Sequence, residues 1–179
     1  FFDNVRIPKD ALIGEVNKGW TYAKLLLGHE RTSIARIGQS KRELGRLKAL
    51  AAEQHSNGLP LMNHATFRDR IAAVEIELMA LEITAMRAIA KGGAPGVEAN
   101  LLKVKGSEVQ QRLTELFMDA AGPYGLPFDP ERGLKNGNEP IGFNEAASLG
   151  PNYLMTRVVT IYGGSNEIQR NIVSKTLGL

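Results

Sequence analysis

The sequence predicts an all-α chain: an up-down helical bundle with a short extended segment at its N-terminus. Three observations predict it. Apolar residues recur at 3–4 spacing through three long segments. Glycine and proline pairs stand where those segments should stop. The connections between them are short, which favours antiparallel neighbours.

Phe2, Val5 and Ile7 are near-alternating and end at Pro8, the pattern of a short strand running out of something upstream. Gly14 and Gly19 bracket a turn. Trp20, Ala23, Leu27, Ile34, Ile37, Leu44 and Leu47 then mark one long first helix, ending near Asn57-Gly58 and Pro60. Phe67, Ile71, Val74, Leu78, Leu81, Ala85 and Ile89 give a second, closed by Gly92-Gly93. Pro95 opens a third, whose stripe of Val109, Leu113, Leu116 and Ala120 stops at Gly122-Pro123. A polar loop follows to about Gly142. Two shorter helices finish the chain, the last beginning after Gly163-Gly164-Ser165. Helices of this length need cover from other protein. Met79, Met86 and Phe117 extend the apolar stripes and ask for partners. The chain opens on Phe1 in strand-like sequence and reads as a piece of a longer polypeptide.

Composition narrows the chemistry. The 179 residues are 43% hydrophobic and 23% charged, as in a soluble globular protein. A net charge of +3 makes no case for nucleic acid and does not repel a small anion. The absence of cysteine excludes disulfides, zinc thiolates and cysteine nucleophiles. No apolar run approaches the ~20 residues of a membrane span. His29, His55 and His64 lack the spacing of metal ligands, so no metal is expected. No phosphate-binding Gly-Lys-Ser/Thr loop or nucleophile elbow occurs. The basic stretch Lys41, Arg42, Arg46 and Lys48 reads as a solvated helix face or as a contact to the phosphates of a ligand.

Two places are anomalous. On a continuous helix Glu30 lies within about 20° of Ala23 and Ile37 and about 40° of Leu26 and Ile34, centred on the apolar stripe. Its helical neighbours Leu26, Leu27, Ser33 and Ile34 offer no cation. A carboxylate so placed has a raised pKa and suits a general base, or it pairs with a cation from another helix. The second place is Tyr162-Gly163-Gly164-Ser165-Asn166-Glu167. Two glycines free the backbone, Ser165 or Asn166 caps a helix, and Asn166 and Gln169 stand at capping-box spacing. Such a helix start can receive an anion or a polar cofactor group, or it is an ordinary helix connection.

At these two places the sequence resembles the acyl-CoA dehydrogenase family. Phe2-Asp-Asn-Val-Arg-Ile-Pro8, Ala11-Leu-Ile-Gly14 and Asn17-Lys-Gly-Trp20 are similar to that family's junction from a central β-domain into its C-terminal helices. Tyr162-Gly-Gly-Ser-Asn-Glu-Ile-Gln-Arg170 is similar to its C-terminal signature. Gly19-Trp-Thr-Tyr-Ala-Lys24 and Gly28-His-Glu-Arg31 also resemble large subunits of pimeloyl-CoA-type dehydrogenases. The resemblance divides the chain into residues 1–16, the end of a β-domain or linker, and 17–179, the C-terminal bundle.

The resemblance implies FAD as cofactor and conversion of an acyl-CoA thioester to a 2-enoyl-CoA. Many members place their catalytic glutamate directly after the signature tyrosine, where this chain has Gly163. Others place it on the first C-terminal helix before an arginine, which Glu30-Arg31 matches. Glu30 is thus the implied base, with Gly28 and Arg31 at the substrate. Gly164, Ser165, Asn166 and Glu167 are implied FAD contacts, and Ala121 and Gly122 belong to a segment that reaches FAD across a subunit interface. Two family segments are absent. Ser56-Asn-Gly-Leu-Pro-Leu-Met-Asn63 replaces an Arg-x-x-Phe-Gly motif, and Met118-Asp-Ala-Ala-Gly122 replaces Gln-x-x-Gly-Gly. The implied partners are acyl-CoA, an electron-transfer flavoprotein and further subunits in a homodimer, homotetramer or hetero-oligomer. A cytoplasmic or mitochondrial-matrix location fits. Two competing readings are a non-catalytic subunit of a hetero-oligomeric dehydrogenase and an acyl-CoA oxidase relative. The fragment alone is expected to be inactive.

Overall fold

A computed structural model of the chain describes residues 1–30, 35–92, 96–128 and 141–179, with 27–30 described by their helical backbone alone. Six α-helices are seen among these residues: α1 (Gly19–Glu30), α2 (Ile37–Glu53), α3 (Ala65–Lys91), α4 (Val97–Ala121), α5 (Ala146–Met155) and α6 (Asn166–Thr176). Of these, α2 to α6 form the helical bundle that the 3–4 spacing predicts, with α4 at its centre.

The predicted first helix is two helices. Residues 31–34 lie outside the described residues, so Ile34 and Arg31 cannot be placed. Ala35 is fully buried, and Arg36, with φ 46 and ψ 40, stands in the left-handed region at the start of α2. Helical phase is lost at such a residue, so the stripe read across Ala23, Ile34 and Ile37 is not one stripe. Gly106 of α4 explains the close approach: a Cβ on it would stand 2.5 Å from Ala35 Cα and 2.9 Å from its carbonyl oxygen. Glycine lets the junction press against α4.

Beyond the junction the predicted stripes become the core. Leu44, Leu47 and Leu50 of α2 meet Phe67, Ile71, Val74, Leu78 and Leu81 of α3. Leu102, Val109, Leu113 and Leu116 of α4 fill the space between them. Phe117, expected to need an outside partner, is buried within the chain, with the Arg46 guanidinium 5.7 Å from its ring centre. Met79 and Met86 are exposed, as is Ile89 at the end of the predicted α3 stripe. Gly92, with φ 63, closes α3, while Gly93 and Pro95 lie outside the described residues.

Between α2 and α3 the chain makes a small hairpin, which the helical reading overlooked. Strand β1 (His55–Ser56) pairs antiparallel with β2 (Leu59–Pro60), with His55 opposite Pro60. Asn57 and Gly58 both have positive φ, the turn that an Asn-Gly pair favours. The helix therefore stops at Glu53, before that pair.

The N-terminal eighteen residues are exposed and form no strand, only a short 3-10 turn at Lys9–Ala11. Phe2, Val5 and Ile7 do not pair, because a strand needs a neighbour for its backbone groups and this stretch meets none among the described residues. Trp20, Leu25 and Leu26 of α1 are likewise exposed. No described helix is long and apolar enough to cross a membrane.

The basic stretch on α2 is paired with carboxylates. Lys41 reaches Glu82 at 2.8 Å and Lys48 reaches Glu75 at 2.6 Å, both on α3. Arg46 bridges Glu43 and Glu145. The last third of the chain descends along α4. A Cβ on Gly150 would meet the Gly125 carbonyl oxygen at 2.6 Å, so α5 starts beside the far end of α4. Arg157 then donates to Glu115, Thr114 and the Gln111 carbonyl. Asn166 finally meets Lys103 near the helix start.

Candidate active site

The start of α6 is a built turn. Gly163 and Gly164 have φ of 68 and 86, which favour glycine. Ser165 is the N-cap, its hydroxyl accepting from the Ile168 N–H at 3.5 Å. Gln169 donates its side-chain amide to the Gly163 and Gly164 carbonyls at 3.2 and 3.4 Å. A Cβ on Gly164 would stand 2.5 Å from that amide nitrogen. The turn is therefore held from inside by Gln169, and the reciprocal Asn166–Gln169 box expected from spacing does not form.

Asn166 is committed inward. Its side-chain oxygen accepts from Lys103 Nζ at 2.7 Å, and its amide donates to Ser107 Oγ at 3.0 Å. The Ser107 hydroxyl donates to the Val104 carbonyl at 2.8 Å. All three side chains are buried, and Lys103 exposes nothing. Burial pushes the Lys103 pKa down, while the nearby Glu167 carboxylate pulls it partly back. Sequence reasoning missed Lys103, although the signal existed. Lys103 lies on the same face of α4 as Ala99 and Gly106, both buried, so it is a charged residue on an apolar stripe.

Glu167 is exposed, and its carboxyl is held below the usual range. A hydrogen bond from its own backbone N–H is the main cause, followed by one from Ser165. Gly163, Gly164 and Ser165 are partly exposed beside it. Accessible backbone, a hydroxyl and an ionised acceptor at a helix start fit a polar cofactor. The Asn166 side chain, one of the implied contacts, faces away from that surface.

Ala121 and Gly122 sit at the other end of α4, Ala121 buried and Gly122 at φ 54. Eighteen residues of helix separate Ala121 from Lys103, roughly 27 Å at 1.5 Å per residue. Within one chain the two sets of implied cofactor contacts are not brought together. Asp119, in the segment that replaces Gln-x-x-Gly-Gly, pairs with Arg70 at 2.6 Å.

Glu30 is the last residue of α1 and Gly28 lies in its final turn; Arg31 is outside the described residues. Five Cα-to-Cα steps separate Glu30 from the buried Ala35, a reach of at most about 18 Å. Ala35 itself packs on Gly106 of α4, one turn from Lys103. Among the described residues no cluster of histidine and carboxylate side chains could hold a metal.

A cavity of about 430 Å³ opens between α2, α4 and the segment after α5. Its floor is apolar, from Leu113 and Phe117. Tyr162, the residue before Gly163, lines one side, and Arg36, Gln39 and Ser40 line another.

Comparison with known proteins agrees with this geometry. The family described as "Acyl-CoA dehydrogenase, C-terminal domain" matches residues 17–178. The chain is 35% identical over 186 residues to acyl-CoA dehydrogenase IpdE1 of Mycobacterium tuberculosis, covering all of this chain and 43% of that protein. It is 25% identical to acyl-CoA dehydrogenase FadE29 of the same organism, over 97% of this chain and 43% of that one. The chain thus spans less than half the length of these relatives. Solved structures share the fold. The ChsE4-ChsE5 complex from Mycobacterium tuberculosis superposes with a TM-score of 0.76 at 22% identity, over 100% of this chain and 45% of that one. The glutaryl-coenzyme A dehydrogenase–glutaryl-CoA complex gives 0.72 at 22% identity, over 99% and 42%. A helical bundle centred on one long helix, a glycine turn capped by Ser165 and a family match over nearly the whole length lead to one assignment: this chain belongs to the acyl-CoA dehydrogenase family and is its C-terminal helical domain.

Proposed function

We propose that the protein containing this chain is an FAD-dependent acyl-CoA dehydrogenase with Glu30 as its base. One observation carries the choice of residue. The position after Tyr162 is Gly163, at φ 68, so the chain offers no carboxylate there, while Glu30 closes α1 directly before Arg31. In the reaction the Glu30 carboxylate takes the α-proton of the thioester and the β-hydrogen leaves as hydride, giving the 2-enoyl product. Bound FAD would supply the hydride acceptor. Gly164, Ser165 and Glu167 would hold it from one subunit, through backbone, hydroxyl and an ionised acceptor, and Ala121 and Gly122 from a neighbour. Asn166 acts by fixing the turn from behind.

Assembly supports the same reading. Ile76, Met79, Ile83 and Met86 are exposed on α3 at alternating spacings of three and four, a seam suited to another helix. A homodimer or homotetramer would cover it. Electrons would leave to an electron-transfer flavoprotein, and a cytoplasmic enzyme is the reading that bacterial relatives support. One observation favours the second reading, a non-catalytic subunit of a hetero-oligomer: residues 56–63, which run through the hairpin and the 3-10 turn after it, carry no arginine for a neighbour's FAD.

Glu30→Gln in the full-length protein separates the two readings. FAD content and folding should be preserved while acyl-CoA-dependent flavin reduction falls by at least ~100-fold, the low end for a general base. Reduction at the wild-type rate would remove Glu30 from the chemistry and favour a partner subunit as its seat.

A further inference from the structure

Seven polar or charged side chains are buried among the described residues, and four of them share one seam. Lys103 and Ser107 belong to α4, and Asn166 and Gln169 to the first turn of α6, which packs on it. The rest of the bundle meets through apolar side chains such as Leu47 of α2, Ile71 of α3 and Val109 of α4. Apolar surfaces tolerate small slides and rotations. Polar groups bonded in the interior hold one arrangement, because any other strands a buried donor or acceptor.

Lys103 is the extreme member of the seam. Its ammonium donates to Asn166, and among the described residues no carboxylate lies within ion-pair distance of it. An apolar side chain of the same volume would fill the place with no charge to desolvate, so the lysine points to a need other than stability. The other end of the pair says what that need is. Asn166 stands between Ser165 and Glu167, the two side chains offered to the cofactor. Helical residues step by about 100°, so holding Asn166 inward turns Glu167 out to the surface. Both ends of the Asn166 amide are assigned: its oxygen to Lys103 and its nitrogen to Ser107 at 3.0 Å. The start of α6 cannot rotate about its axis without breaking one of the two.

We propose that Lys103 is a positioning residue for the cofactor: through Asn166 it fixes the rotation of α6 on α4 and so presents Ser165 and Glu167 to FAD. The proposal rests on the dehydrogenase reading above. Lys103 is wholly buried and touches neither cofactor nor substrate in this scheme. It acts through Asn166, as Gln169 acts on the two glycines by holding their carbonyls.

The test reconstitutes the full-length apoenzyme with FAD. It reads the Kd for FAD by calorimetry, the visible circular dichroism of the bound flavin, and the Tm of the apoenzyme. Lys103→Met combined with Asn166→Leu replaces the polar pair by apolar side chains of similar size. This double variant should keep its Tm within a few degrees of wild type. It should bind FAD about ten-fold more weakly, the scale of one lost contact, with altered flavin dichroism. Asn166→Asp keeps an inward acceptor for the ammonium and should bind FAD as wild type does. Wild-type affinity in the double variant would overturn the proposal, as would a folded double variant whose Tm and affinity fall together. Weakened FAD binding by Asn166→Asp would also overturn it. If the double variant does not fold, Lys103→Met alone decides. There the Ser107 hydroxyl, 3.2 Å from the Asn166 oxygen, keeps that oxygen paired. FAD should then bind several-fold more weakly, and unchanged affinity sinks the proposal. These outcomes are separable from the parent reading. Wild-type flavin reduced by octanoyl-CoA, with affinity unchanged in the variants, defeats the positioning role alone. Weaker FAD binding by the double variant, with no reduction of wild-type flavin by octanoyl-CoA, supports Lys103 and defeats the dehydrogenase. Wild type that binds no FAD defeats both.

Discussion

Lys103 Nζ lies 2.7 Å from the side-chain oxygen of Asn166, joining the middle helix of the bundle to the first residue of the last. Neither side chain is reached by water. Removing the acceptor strands an ammonium in the interior. Asn166→Ala should destabilise the protein by about 3 kcal/mol, the scale for an orphaned buried charge. Asn166→Asp supplies a counter-charge and should lose much less. Chemical denaturation of the two variants decides the point, and equal losses would count against a charged Lys103.

The same lysine gives a pH signature. Burial lowers its folded pKa below the ordinary 10.5. Between the two values the unfolded chain binds the proton that the folded chain has released, so folding stability rises with pH across that window. Below the folded pKa both states are protonated and the slope vanishes. Wild-type stability should therefore climb relative to Lys103→Met as pH rises toward 10.5. A difference flat from neutrality upward would mean that the lysine pays no burial penalty.

Gly106→Val tests the packing of the α1–α2 junction. The new Cβ would sit 2.5 Å from backbone that cannot swing aside. Overpacking against a main chain costs about 1–3 kcal/mol, and the branched side chain should reach the upper end. Because Ala35 carries the connection to Glu30, flavin reduction in the full-length enzyme should also drop. Thermal unfolding and single-turnover reduction measure the two effects, and a loss of stability with no kinetic change would detach the junction from the chemistry.

Gly163→Glu, placed in the Glu30→Gln background, asks whether the turn before α6 can host the base. The residue stands at φ 68, so any side chain there costs about 1–2 kcal/mol. Partial recovery of flavin reduction with a lowered Tm is the expected pair of results. Recovery without a change in Tm would mean that the turn has rearranged.

The long helices were legible in the sequence because their periodicity is set by what they bury. Val74, Leu78 and Leu81, like Leu113 and Leu116, needed no partner outside the chain to be placed. The break at Arg36 was not legible: Ile34 and Ile37 keep helical spacing in the sequence, and the junction packs on Gly106, seventy residues from Arg36. The hairpin was legible and overlooked, since Asn57-Gly58 is itself a turn signal. Phe117 was misjudged because a stripe records that a side chain is buried without recording against what. At the candidate site the glycines and Ser165 could be read locally. The inward turn of Asn166 could not, because it answers a lysine on another helix.

The descent of the last third of the chain along α4, with Gly150 beside Gly125, Arg157 beside Glu115 and Asn166 beside Lys103, has a consequence for length variation. Two of these docking points, at Glu115 and Lys103, are registered on a single uninterrupted rod, and the third follows directly from its end. Deleting one residue within it would rotate everything beyond by about 100° and shift it by about 1.5 Å, undocking the contacts on one side of the cut together. Homologous chains should therefore hold the residue count of 97–121 fixed even where exposed positions along it vary in type, with insertions and deletions confined to the stretches between helices.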